Sequence, residues 1–143
     1  MQSDELRPLL TEITFRVRFA ETDMMGVVHH ANYLIYFEEG RSELSRRVGS
    51  PYSALEAQGF SLAVGDVRVR YVGAARYDEL LTVRSWVGEI QSRAVTFEHE
   101  VIRAVNGEVL ARGTVKTICI DRQGCVRRIP EAWIAPFKAA LDL

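Results

Sequence analysis

The chain has 143 residues, 48% of them hydrophobic and 26% charged, with a formal net charge of −1. That is the size of one domain, with chain enough to bury a core without staples. The near-zero charge excludes a bulk pull toward nucleic acid or an anionic membrane, and no apolar run reaches the ~20 residues of a membrane-spanning helix.

Residues 1–11 read as a loose leader. MQSDELRPLL lacks the basic region and apolar stretch of a signal peptide, so a cytoplasmic chain is expected. Ile13, Phe15, Val17 and Phe19 alternate with polar residues, the pattern of a half-buried strand. A loop over 20–28 follows, then a helix expected from His30 to Val48, about 28 Å long at roughly 1.5 Å per residue. Tyr33, Phe37, Gly40 and Leu44 recur on one face of it, while Ala31, Ser42, Ser45 and Arg46 fall on the other. Arg46 and Arg47 suit the negative end of the helix dipole, and Gly49 suits the C′ position. Ser50 as N-cap and Pro51 at N1 open a short second helix that Gly59 closes.

The period then changes from 3.6 to 2. Val67, Val69 and Tyr71 alternate with charged residues, with Gly65 as a bulge and Gly73 as a strand end. Leu81–Val87 makes a third strand and Ala94–Val105 a fourth. Asn106-Gly107 is the signature of a type I′ hairpin turn into a fifth strand carrying Val109, Ala111, Val115 and Cys119. Cys125–Ile129 adds a short sixth strand, and Pro130 opens a C-terminal helix with Trp133, Phe137 and Leu141 on one face. Neither cysteine sits in a disulfide framework or at zinc spacing. The expected class is α+β: one long helix covered by a curved antiparallel sheet of five to six strands, in a single domain over 1–143. Such a sheet has open edges, and pairing them with a second copy is one remedy, so self-association is expected.

Several residues suit chemistry. Asp23 stands in the loop before the first helix, where Gly26 permits a tight turn. The free N–H groups of a helix start stabilise negative charge on an oxygen, so a carboxylate beside them is equipped for acyl transfer. The same carboxylate, or Glu21, equally suits capping the loop's backbone donors. His29 and His30 are adjacent and cannot both face one way; His30 falls on the Tyr33 and Phe37 face, as a catalyst or as a hydrogen-bonded core residue. His99 shares a strand face with Phe97 and Val101 and reads as structural. Glu38 is a mid-helix carboxylate able to pair with Arg41 or Ser42. Arg68, Arg70, Arg84, Arg93 and Arg103 are scattered over the strands, and a few of them suit phosphate. The chain has no Walker loop, GxGxxG, GxSxG or HExxH pattern, so neither a metal nor a resident cofactor is expected.

The stretch ETDMMGVVHHANYLIYFEEGRSEL resembles the signature of hotdog-fold acyl-CoA thioesterases of the 4-hydroxybenzoyl-CoA thioesterase type, closest to their bacterial short-chain branch. VRVRYVGAARYDELLTV and GTVKTICID extend the resemblance, which runs from about Thr14 to Pro130. It implies a hotdog fold, an acyl-CoA substrate, and homodimers or homotetramers (dimers of dimers) with sites at the dimer interface. By position it implies that Asp23 is the catalytic carboxylate, as nucleophile or general base. It makes His30 the residue whose backbone N–H polarises the thioester carbonyl, with help from its side chain. Val28 and His29 belong to the same oxyanion turn. Tyr33 and Glu38 match positions near the acyl end, and Arg93 lies where some relatives bind CoA phosphates. One departure stands out: Met24-Met25 replace the small residues of many relatives and are expected to reshape the acyl pocket. Two alternatives share the same groove, an acyl-CoA-binding module without catalysis and a hotdog enoyl-CoA hydratase.

Overall fold

The structure is a computed structural model that describes residues 9–143. Five strands form one antiparallel sheet: β1 (Thr11–Arg16), β2 (Phe60–Tyr71), β3 (Leu80–Ile90), β4 (Ala94–Arg103) and β5 (Val109–Asp121). Their spatial order is β1-β3-β4-β5-β2, so β1 and the twelve-residue β2 are the two edges. Three helices accompany the sheet: α1 (Asn32–Arg47), α2 (Tyr52–Ala57) and α3 (Glu131–Ala140). The α+β class and the antiparallel sheet are as the alternation indicated.

Helix α1 starts two residues later and ends one residue earlier than its periodicity suggested. Val48 is its C-cap and Gly49 follows with φ +88°, a conformation that favours glycine. Tyr33, Phe37 and Leu44 are buried as expected; Ser45, expected on the opposite face, is buried too, where α1, α2 and the sheet meet. Two glycines set how closely α1 lies on the sheet. A Cβ on Gly40 of α1 would collide with Ser85 of β3, and one on Gly113 of β5 would enter the ring of Phe37. With both absent, the Phe37 ring lies flat on His99 of β4, centroids 4.8 Å apart and planes 8° from parallel. Burial of such aromatic surface is the main favourable term holding the layers together.

The core has two halves. Tyr33, Tyr36 and Phe37 pack with Leu81, Val83 and Val101 under the first half of α1. Leu44 packs with Leu55, Phe97, Trp133 and Phe137 under the second half. The Trp133 indole N–H donates to the Pro51 carbonyl at 3.0 Å and ties α3 to the start of α2.

Several expectations are corrected. β1 begins at Thr11, so part of the expected leader is strand, and the rest lies outside the described residues. Phe19 leaves the strand for a 3₁₀ turn, Phe19–Glu21, and is 76% exposed. Pro51, not Ser50, is the N-cap of α2, because Ser50 is buried and gives no side-chain cap. β2 starts five residues before the expected bulge, which does fall at Gly65, between Val64 and Asp66. The hairpin between β4 and β5 is not a two-residue I′ turn. Gly107 alone has positive φ, and the Arg103 carbonyl accepts from both Asn106 and Gly107, which makes a four-residue loop. The sixth strand is not formed; one bridge, Ile120 with Val126, stands in its place. Among the described residues no helix is long and apolar enough to cross a membrane.

Candidate active site

The segment from Glu21 to Tyr33 forms a tight reversal at the start of α1. Thr22 bridges Val28, and Val27 bridges Arg76. The Asp23 N–H donates to the Val27 carbonyl and the Gly26 N–H to the Asp23 carbonyl, each at 2.9 Å, with Gly26 at φ +76°. Asp23 Oδ1 accepts the Met25 N–H at 2.9 Å, an Asx turn that fixes the carboxylate in place. Asp23 therefore does cap the loop, with one oxygen; it is partly exposed and presents the other.

Glu21 anchors the turn from below. Its carboxylate accepts the Arg18 backbone N–H at 2.7 Å and the Arg18 guanidinium at 3.0 Å. Its carbonyl accepts the Asn32 side-chain amide at 2.8 Å and the His29 N–H at 2.9 Å. The backbone donors of the turn can then be followed one by one. Val28 donates to Ala75, His29 to Glu21, and Ala31 to the His29 ring at Nδ1, 3.2 Å away. Asn32 and Tyr33 donate to the His29 and His30 carbonyls. From Val28 to Tyr33 the His30 N–H alone has no acceptor among the described residues; earlier in the turn the Met24 and Val27 N–H groups also have none. The His30 N–H lies at the positive end of the α1 dipole. Within the turn near Val28–His30 the Val28 and His29 donors are engaged in building the turn, and the His30 N–H is the one left over.

The side chains of this run separate in the same way. Val28 is buried at 4%, and His29 and His30 are both exposed. Their rings lie 4.3 Å apart, so the expectation that the two cannot face one way is corrected; His30 precedes the helix and is exposed, not the core residue its helical face suggested. Tyr33 is buried, and burial raises its phenol above the usual range. Tyr71, at the end of β2, was not singled out from the sequence. Its hydroxyl donates to the His30 carbonyl at 2.8 Å, and its ring meets Tyr33 edge-on at 5.3 Å. The only sequence signal for it was an aromatic at the end of a strand, which has many ordinary causes.

Three further residues fall elsewhere. Glu38 is exposed, two turns along α1, and borders a 250 Å³ pocket between α1, α2 and the sheet. Arg93 is exposed in the β3–β4 turn, at the far end of β4 from Ala74 and Glu79, about 30 Å from the Asp23 turn at roughly 3.3 Å per residue. One protomer does not bring Arg93 and Asp23 together. Met24 and Met25 are both strongly exposed, and neither borders the pocket beside Glu38. Of the other strand arginines, Arg103 is committed to Glu79, Glu108 and the Ala74 carbonyl, a structural role.

The turn thus carries a partly exposed carboxylate and, at the start of a helix packed on an antiparallel sheet, a peptide N–H with no acceptor among the described residues. Residues 17–141 match the model of the thioesterase-like superfamily, and the chain belongs to that family. The chain is similar to the acyl-CoA thioesterase YbgC of Haemophilus influenzae, 36% identical over 107 residues that cover 74% of this chain and 77% of that one. It is 29% identical over 124 residues to the acyl-CoA thioester hydrolase YbgC of Escherichia coli O6:H1, covering 86% and 92%. Among solved structures it resembles the DHNA-CoA thioesterase of Staphylococcus aureus, with a TM-score of 0.84, 28% identity, and coverage of 93% and 89%.

Proposed function

We propose that this chain hydrolyses the thioester of an acyl-CoA to a free acid and CoA. The reading is supported by the Asp23 carboxylate and a His30 N–H without an acceptor lying on one turn, in a member of the thioesterase-like superfamily. The names of the relatives above support the substrate class.

In this reading the thioester carbonyl oxygen accepts the His30 N–H, where the helix dipole favours the developing negative charge. Asp23 then acts by one of two routes. As nucleophile, its free oxygen attacks the carbonyl carbon, the C–S bond breaks, and CoA leaves as the thiolate; water then hydrolyses the mixed anhydride. As general base, it takes a proton from water as that water attacks, and passes it to the departing sulfur. Val28 forms the wall behind the carbonyl, His29 holds the turn through its ring, and Tyr33 and Glu38 face the acyl end. The His30 imidazole, exposed beside its own N–H, assists in orienting the thioester.

The sheet wraps the long helix α1 as one hotdog domain over residues 1–143. The open edge of β2, with Val64, Val67 and Tyr71 exposed, is the seam through which two copies join, as a dimer or as a dimer of dimers. Arg93 contributes to the CoA phosphates only across such a seam, given its distance from Asp23 within a protomer. The enzyme works in the cytoplasm, where acyl-CoA is found.

The test is thiol release from a panel of acyl-CoAs by the wild type and by Asp23→Asn. Hydrolysis by the wild type, lost in the variant with CoA binding retained, is the expected result. Turnover by Asp23→Asn within a few-fold of wild type refutes the role of the carboxylate. CoA binding with no thiol release from any substrate replaces the reading with a binding module, and hydration of an enoyl-CoA replaces it with a hydratase.

A further inference from the structure

The pocket bordered by Glu38 has a volume of 250 Å³ and an uneven wall. Phe97, Leu62 and Val64 make its apolar side; Arg41, Ser42, Ser45 and Thr117 make its polar side. A cavity of about 150 Å³ is enough for a benzene ring, so this one has room for a ring or short chain with a polar substituent. Arg41 is the unusual member. Its Nη1 is buried and has no hydrogen-bond partner among the described residues. Burial depresses the guanidinium below its ordinary range, and Glu38, one turn back on α1, opposes that only through its field. Every other polar group on this wall of α1 has a neutral side chain or reaches water. A buried guanidinium nitrogen without an acceptor is unfavourable, and an acceptor oxygen from a ligand removes that cost.

The pocket is also placed for an acyl group. His30 and Arg41 are eleven residues apart, about 16 Å at roughly 1.5 Å per residue. Helical side chains lean toward the N-terminus, so the arginine head closes part of that span. A carbonyl at the His30 N–H leaves an acyl group of one ring, or about six carbons, ending near Arg41 and Glu38.

We propose that Arg41 is a specificity-determining residue that selects acyl groups carrying an oxygen acceptor at their distal end, a hydroxyl or a carboxylate. The proposal rests on the thioesterase reading above. The experiment compares matched substrates: benzoyl-CoA with 4-hydroxybenzoyl-CoA, and hexanoyl-CoA with adipoyl-CoA. Wild type is expected to prefer the oxygen-bearing member of at least one pair by tenfold or more in kcat/KM. Arg41→Met is expected to erase that preference by slowing only the oxygen-bearing substrate, leaving the plain one within about threefold. Arg41→Lys, which keeps the charge, retains part of the preference and guards against a variant that fails to fold. Hydrolysis of both members of each pair without preference overturns the proposal and leaves the thioesterase reading intact. Equal slowing of both substrates by Arg41→Met makes the residue structural and overturns it. Loss of self-association in that variant with selectivity unchanged, read by sedimentation, means a second copy supplies the acceptor and also overturns it. No hydrolysis of any substrate by the wild type overturns both readings together.

Discussion

Acidification should destabilise this fold through one histidine. His99 is 1% exposed, stacked on Phe37 and next to Phe97, with Nδ1 2.7 Å from the Ser85 hydroxyl and no partner for Nε2 among the described residues. Burial, and secondarily the nearby Arg41 charge, lower its pKa from 6.5 to about 3. The unfolded chain therefore takes up a proton below pH 6.5 that the folded chain refuses, and stability falls with pH between about 6.5 and 3. Each pH unit in that window costs about 1.4 kcal/mol, so the loss from this group between pH 7 and pH 5 is about 2 kcal/mol. His99→Phe keeps an aromatic ring against Phe37 but cannot be protonated. It leaves the Ser85 hydroxyl unpaired while removing the unpartnered Nε2, so its stability at pH 7 should lie within about 1–3 kcal/mol of wild type. Urea denaturation of both proteins at pH 7 and pH 5 measures the difference. Carboxylates titrate in both, so the difference between the two pH slopes isolates His99. Wild type should lose about 2 kcal/mol more than His99→Phe over that range. Equal losses refute the claim that His99 is held neutral.

Three other outcomes are expected. Gly113→Ala places a methyl group in the ring of Phe37 and should cost about 1–3 kcal/mol in thermal or chemical unfolding, whereas an unchanged midpoint would show that α1 is free to move off the sheet. Tyr71→Phe removes the hydroxyl that holds the His30 carbonyl and should lower kcat/KM several-fold with stability changed by about 1 kcal/mol; full activity would show that the turn holds its shape without it. His30→Ala keeps the backbone N–H and should lower the rate less than Asp23→Asn; equal losses would mean that the imidazole does indispensable chemistry.

Local sequence pattern alone carried the main helix, the later strands and the turn that holds Asp23. A period of 3.6 over Tyr33–Leu44 and a period of 2 after Gly65 come from burying one face, and each is a local property of the chain. Asp23, Gly26 and the helix that follows are contiguous, so the carboxylate turn was legible before any fold was known. Some features needed the tertiary structure. Which N–H stays free depends on Ala75 and Glu21 accepting from Val28 and His29, and Ala75 comes from a distant loop. The exposure of His30 depends on where the helix begins, and the hairpin loop on which residue takes positive φ. Ser45 is buried where α1, α2 and the sheet meet, a junction of segments distant in the chain. Tyr71 and Arg41 are ordinary residues in the sequence; the packing sets one against the His30 carbonyl and leaves one nitrogen of the other buried without a partner among the described residues. Periodicity reports which face is buried; only the packing of distant segments decides which donors and charges are left unpaired, and in this protein those unpaired groups mark both the proposed oxyanion site and the proposed selectivity residue.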